Sequence, residues 1–381
     1  MALLEFQIPT NIIYGNETIS RITELAAPNG EKVVIVCEKD ASEIGITSKI
    51  KRLVDMNAYG TILYEIGANA NTKDLFEGVN ITKSGRADVV IGLGGENVLS
   101  VAKSIAQFST QELTEEEHKS HKRYGIKKVR YIEVPYMQTV CWGLLPTTYI
   151  IDETDNIKKP YIDNESRAEA IIIDPNLTEE LPMNDVIHSA MEGLAYAFDT
   201  YISKKSTALS DAFSLKAIEF LSMNLKRLAM EPANIKIKGN LSMGALLASL
   251  AIYTSSLGST AACAMGLNAA CDLPQPVGAT LMLPHVMEFN LTAAANKFIQ
   301  IGVALGEKVS DITVIEAAIK SIESIRRMMQ DLRVPQRLSD YNINTEKIDL
   351  AAKVASQYEY LSYLPRSAGR NELNELIESA M

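Results

Sequence analysis

Short apolar runs alternate with helical stretches through the first half of the chain. Lys32-Val-Val-Ile-Val-Cys37 is rich in β-branched residues and has no polar face, as a parallel strand covered on both sides requires. Helical spacing follows over Ile46–Val54, then a second strand over Thr61–Glu65 and a second helix over Asp74–Ser84. Ala87–Leu93 reads as a third strand, and the helix after it runs to about Gln107. Val129–Val134 is a further strand, stopped by Pro135. This rhythm predicts a doubly wound parallel sheet. Past residue 180 the period lengthens, with helices predicted over Met183–Lys204, Leu209–Met230, Ser242–Leu257, Ala293–Leu305, Thr313–Leu332 and Ile348–Tyr360. The pattern therefore predicts an α/β dinucleotide-binding-like domain over residues 1–180 and an all-α domain over residues 181–381. A chain of 381 residues is long for one core, which agrees with two.

Composition narrows the partners more than the fold. A formal net charge of −10 argues against nucleic acid and anionic membrane surfaces. The four cysteines form no CxxC pair, so neither a zinc site nor a disulfide framework is expected. Buried thiols in a reducing cytoplasm are the simpler expectation. The opening Met1–Pro9 has no basic region followed by a long apolar one, so no signal peptide is expected. Residues 239–271 carry no charge, yet Ser, Thr and Gly interrupt them throughout, which predicts a core helix rather than a membrane span. Glu112–Arg123 is a charge run containing His118 and His121, expected to be solvated surface.

The chemistry concentrates in Ala87–Ala106, which reads as strand, glycine turn and helix. That arrangement holds a pyrophosphate at a helix N-terminus. Gly94 and Gly95 supply the turn, but Glu96 follows them, and a carboxylate repels phosphate. Asp185, His188 and Glu192 fall on one helical face, with Cys263 a further metal donor if a facing helix brought it near; capping and core roles are expected instead. Cys141, beside Trp142, has no neighbouring histidine to activate it. His285 is expected to be architectural. No GxSxG elbow, phosphate-loop lysine or HExxH is present.

Seven segments, in order, resemble the iron-containing alcohol dehydrogenase family. They are Phe6–Gly15, similar to the family's N-terminal hairpin; Gly94–Lys103, similar to GGGSxxDxAK; Ile173–Thr178; Asp199–Lys204; Ser210–Ile218; Leu283–Asn290; and Leu364-Pro-Arg366. The resemblance implies that family's fold, a homodimer through the N-terminal strand, and a small-molecule ligand in a cleft between the domains. It also implies a metal held by one Asp and three His. The matching positions here are Glu192, Tyr196, Ala261 and Gln275, with Met265 where a companion histidine would stand. Only Glu192 remains a good hard ligand, so no metal is expected. For the cofactor, the resemblance points to Glu38, Thr72, Gly94, Gly95, Asn97, Ser100 and Lys158, with Glu38 favouring NAD over NADP. Against this, Glu96, Asn97 and Ser100 replace Gly, Ser and Asp of the phosphate loop, and Pro135–Gly143 has lost the glycines of the nicotinamide-side turn.

Three functions stay open at this point. One is a metal-independent, NAD-linked oxidoreductase acting on a small alcohol or aldehyde, with Glu192 and Tyr196 as candidate catalytic residues. Another is a non-catalytic binding or assembly protein. The last is an enzyme with a pocket rebuilt for a non-nicotinamide ligand. What unites them is a dehydrogenase-family protein without metal-dependent catalysis.

Overall fold

The computed structural model describes residues 6–110, 129–163 and 165–381. The charge run with His118 and His121 lies outside the described residues. Residues up to Met137, together with Cys141–Leu181, form one compact unit; Gln138–Val140 and Pro182–Met381 form the other.

The strands of the first unit are β1 (Asn11–Tyr14), β2 (Lys32–Glu38), β3 (Gly60–Ile66), β4 (Val89–Gly94), β5 (Arg130–Pro135), β6 (Thr147–Asp152), β7 (Ile157–Ile162) and β8 (Ala170–Ile173). All but β6 and β7 make one parallel sheet, in the order β1-β8-β5-β4-β2-β3. Its register sets Val34 beside Val90 and Ile91 beside Ile132. Every residue of β4 is buried, and all of β2 except Lys32, which explains why these runs are apolar without alternation. Helices α1 (Ile22–Ala26), α2 (Lys39–Glu43), α3 (Ile46–Asp55), α4 (Thr72–Gly85) and α5 (Glu96–Phe108) accompany the sheet. Asn71 caps α4 with its side chain on the Lys73 N–H, and Asp74 returns a bond to the Asn71 N–H. This is the parallel α/β architecture the alternation predicts.

Two local expectations change. The opening segment does not pair as a hairpin among the described residues: Asn11–Tyr14 lies parallel to Ala170–Ile173 at the sheet edge. Four residues cannot name a partner so late in the chain. The antiparallel β6–β7 ribbon has no apolar run to announce it, because Asp152, Lys158 and Lys159 interrupt its pattern.

In the second unit the helices are α6 (Met183–Ile202), α7 (Ala208–Leu228), α8 (Ile235–Thr254), α9 (Ser259–Cys271), α10 (Gln275–Asn290), α11 (Ala295–Ala304), α12 (Val314–Asp331), α13 (Thr345–Ala355) and α14 (Arg370–Glu378). From Val186 to Ile202 every residue of α6 is buried, so this helix is the centre of the unit. The sequence pattern starts α8 at Ser242, whereas the structure starts it at Ile235, where Asn234 caps the free N–H groups of Lys236 and Ile237. Helix α8 is long and apolar enough to cross a membrane by length and composition alone, but 67 % of its most apolar stretch is buried inside the protein. Helices α9 and α10 escape the periodicity reading because nearly all their residues are buried, leaving no polar face to mark a period.

Candidate functional site

Four-residue spacing on α6 stacks Glu192 and Tyr196 on one face. The Tyr196 hydroxyl donates to Glu192 Oε1 at 3.1 Å. Gln275, the first residue of α10, aims its amide nitrogen at both: Nε2 lies 3.3 Å from Glu192 Oε1 and 2.9 Å from the Tyr196 oxygen. Thr139, from the short segment that belongs to this unit, donates to Glu192 Oε2 at 3.3 Å. Glu192 and Tyr196 are fully buried, and Gln275 and Thr139 almost so. Three donors thus converge on one carboxylate, as a buried acceptor-only group requires. The amide orientation follows from the same logic, since an oxygen turned toward Glu192 would face another acceptor.

The remaining sequence-matched positions are close-packed. Ala261 is fully buried near the start of α9, and its N–H donates to Asp199 Oδ2 at 3.0 Å. Asp199 also accepts from the Thr260 hydroxyl at 2.9 Å, capping α9 from the side. Burial raises the Asp199 carboxyl to about 7 against those hydrogen bonds. Met265 accepts the Tyr360 hydroxyl on its sulfur at 3.6 Å.

This donor set does not fit a divalent metal. A methyl group cannot ligate, an amide N–H points where a lone pair is needed, and a phenol that donates to Glu192 has its proton in place. Such ions need three or four donors directed at one point. Among the described residues, no group of three or more His, Cys, Asp and Glu is placed to hold a metal ion, so Asp185, His188, Glu192 and Cys263 do not assemble as one. His188 Nδ1 instead pairs with the Thr280 hydroxyl at 3.1 Å, and burial lowers its pKa to about 4. Burial, with the Asp199 charge, pushes the Cys263 thiol up.

The glycine turn lies in the first unit, between β4 and α5. Gly94 has no room for a side chain: a Cβ there would sit 2.7 Å from Val98 of α5. Gly95 is the residue before α5, and its N–H donates to Glu38 Oε2 at 3.1 Å. The same Glu38 oxygen accepts the Tyr136 hydroxyl at 3.1 Å. Glu96 opens the helix and pairs with Lys158 Nζ at 3.0 Å. Lys158 also donates to Asn97 Oδ1 at 2.7 Å, while Asn97 Nδ2 donates to the Ala68 carbonyl at 2.9 Å. Burial pushes the Glu96 carboxyl up, and Lys158 pulls it back. Thr72 is fully buried and accepts the Glu153 N–H at 3.2 Å. Ser100 is fully buried, with no hydrogen-bond partner for its hydroxyl among the described residues.

So the structure brings Glu192, Tyr196 and Gln275 together in one unit. In the other it gathers Glu38, Gly95, Asn97 and Lys158 around the turn. Sequence reasoning missed Thr139 and Tyr136. Their signal was present as hydroxyl residues within Pro135–Gly143, a stretch read only for the glycines it lacks. It also missed Glu133, fully buried on β5 and raised to about 7 by burial, with Lys103 and the Tyr131 hydroxyl opposing that rise. Lys103 Nζ in turn donates to the Trp142 and Leu145 carbonyls, tying α5 to the loop after β5.

The family description "Iron-containing alcohol dehydrogenase" matches residues 9–175, and "Fe-containing alcohol dehydrogenase family, C-terminal" matches residues 186–381. The chain belongs to the iron-containing alcohol dehydrogenase family. It is 23 % identical to the NAD-dependent methanol dehydrogenase of Bacillus methanolicus, covering 100 % of both chains. It is 24 % identical to the 1,3-propanediol dehydrogenase of Citrobacter freundii, covering 99 % of each. Its fold matches the solved structure of the alcohol dehydrogenase from Oenococcus oeni with a TM-score of 0.91 at 21 % identity, over 100 % of both chains. The family is thus one of alcohol and diol dehydrogenases, and this chain keeps its α/β and helical architecture.

Proposed function

We propose that this chain is a divergent member of the alcohol dehydrogenase family that does not carry out metal-dependent alcohol or aldehyde chemistry. One observation carries this reading. The Gln275 amide nitrogen donates to both Glu192 and Tyr196, at a position where the family resemblance implies a metal-binding imidazole. An alcohol gives up hydride readily only when the charge on its oxygen is met, and in a metal-dependent dehydrogenase the cation meets it. Here Glu192, Tyr196 and Gln275 hydrogen-bond to one another instead.

A second reading is favoured by the activity of a relative, an NAD-dependent methanol dehydrogenase. It makes this chain a metal-free, nicotinamide-linked oxidoreductase, in which Tyr196 and Glu192 form hydrogen bonds to a small alcohol or aldehyde oxygen. That role requires the substrate to displace Gln275 from the Tyr196 hydroxyl.

Metal analysis of the purified full-length protein, grown with added iron and zinc, tests the first reading. The expected result is far less than one ion per chain and no turnover of short alcohols or aldehydes stimulated by metal. Equimolar iron or zinc that disappears in Glu192→Ala would overturn it. Metal-free, NADH-linked turnover abolished in Tyr196→Phe would establish the second reading. The combined variant Glu192→Asp, Tyr196→His, Ala261→His, Gln275→His is expected to gain one equivalent of metal, because it restores a carboxylate and three imidazoles.

A further inference from the structure

We infer that Glu96 is a built-in anion that closes the β4–α5 turn to phosphate-bearing ligands. The inference does not rest on the metal reading, since it concerns different residues in the other unit.

The N-terminus of α5 carries the partial positive charge that attracts anions, and α5 is long enough for the effect, at 13 residues. Lys158, delivered by β7, adds a full positive charge at the same point. In this chain both are already answered. Glu96 Oε1 lies 3.0 Å from Lys158 Nζ, with the two side chains 3 % and 0 % exposed. Asn97 Oδ1 accepts a second Lys158 bond, and its amide is fixed to Ala68, so the start of α5 is braced against the loop before α4. The Gly95 N–H is taken as well, by Glu38, whose bound oxygen also holds the Tyr136 hydroxyl.

Charge counting decides the outcome. The Lys158 ammonium is already paired with Glu96, and the Glu38 carboxylate already holds the Gly95 N–H at the turn. A pyrophosphate would add at least two negative charges where little water screens them. It could recruit Lys158 only by stripping the cation from Glu96. That would leave a buried carboxylate unpaired, which is among the costlier states a protein interior offers. A dinucleotide therefore meets an occupied cradle, and Glu96 sets that specificity.

Calorimetric titration of the full-length protein with inorganic pyrophosphate and with NADH tests this. The wild type is expected to show no saturable heat up to ~1 mM of either ligand. Glu96→Gly and Glu96→Gln are expected to bind both at least ~10-fold more tightly than that limit, and to lose the gain when Lys158→Met is added. NADH binding to the wild type with Kd below ~100 μM would overturn the proposal, and that arm needs no variant to fold. So would a wild type that does not bind, together with folded Glu96 variants that gain nothing. Metal content is not expected to change in any of these proteins, which keeps the outcome separable from the metal test.

Discussion

Tyr196 shows how much one hydroxyl holds in place. It donates to Glu192 Oε1 at 3.1 Å and accepts from Gln275 at 2.9 Å, all within fully buried surroundings. Tyr196→Phe keeps the ring and its packing but removes a donor from a buried carboxylate and an acceptor from a buried amide. Hydrogen bonds to charged groups contribute ~1.5–3 kcal/mol, so urea denaturation should show a loss in that range. A change under ~0.5 kcal/mol would mean that water or a ligand reaches Glu192, and the closed description of this position would fail. Thr139→Val supplies the graded comparison. It deletes a single 3.3 Å bond to the other carboxylate oxygen, and a smaller loss is expected.

Helices α9 and α13 pack closely, and Gly266 permits it. A Cβ at Gly266 would lie 2.3 Å from the Ala351 carbonyl oxygen of α13, and backbone cannot step aside as a flexible side chain can. Gly266→Ala is therefore expected to cost at least the ~1–3 kcal/mol typical of overpacking, despite alanine's better helix propensity. A thermal melt with an unchanged midpoint would show that the two helices are not held this closely. The same contact explains what the sequence could and could not reveal. Strands β2 and β4 were legible because burial on both faces leaves an apolar run with no polar alternation. Helix α3 was legible because Ile46, Ile50 and Val54 return every four residues to one buried face. Helix α9 was not, since Ala261, Ala262, Ala264 and Gly266 are small for close packing on all sides and show no period. At the candidate site, the residue types at 192, 196, 261 and 275 could be read in advance. That Gln275 presents its nitrogen, that Thr139 comes across to Glu192, and that Lys158 is bound to Glu96 all depend on partners far apart in the chain, which spacing cannot express.

Across the whole molecule, buried ionisable groups tie folding to pH in opposing directions. Glu133 and Asp199 have pKa values raised to about 7, so the native state keeps protons that the unfolded chain has released. Their effect is to lower stability as pH climbs from the ordinary carboxyl range toward 7. His188 works the other way. Burial lowers it from 6.5 to about 4, so between those values the unfolded chain takes a proton that the native chain refuses. Stability from this group is complete above pH 6.5 and is lost as pH falls through the window to about 4. At ~1.4 kcal/mol per pKa unit, the fall from 6.5 to about 4 sets the full swing at roughly 3.5 kcal/mol. Absolute stability curves would blend these opposing effects, so the informative measurement is a difference. Wild type and His188→Gln should be unfolded in urea side by side from pH 7.5 to 4. The acidic groups cancel in the subtraction, because both proteins contain them. The wild type should lose ground to the variant steadily below pH 6.5. A difference that stays constant over that range would mean His188 accepts its proton in the folded protein. Water or an anion would then reach the ring beside Thr280, and the packing described between α6 and α10 would have to open to admit it.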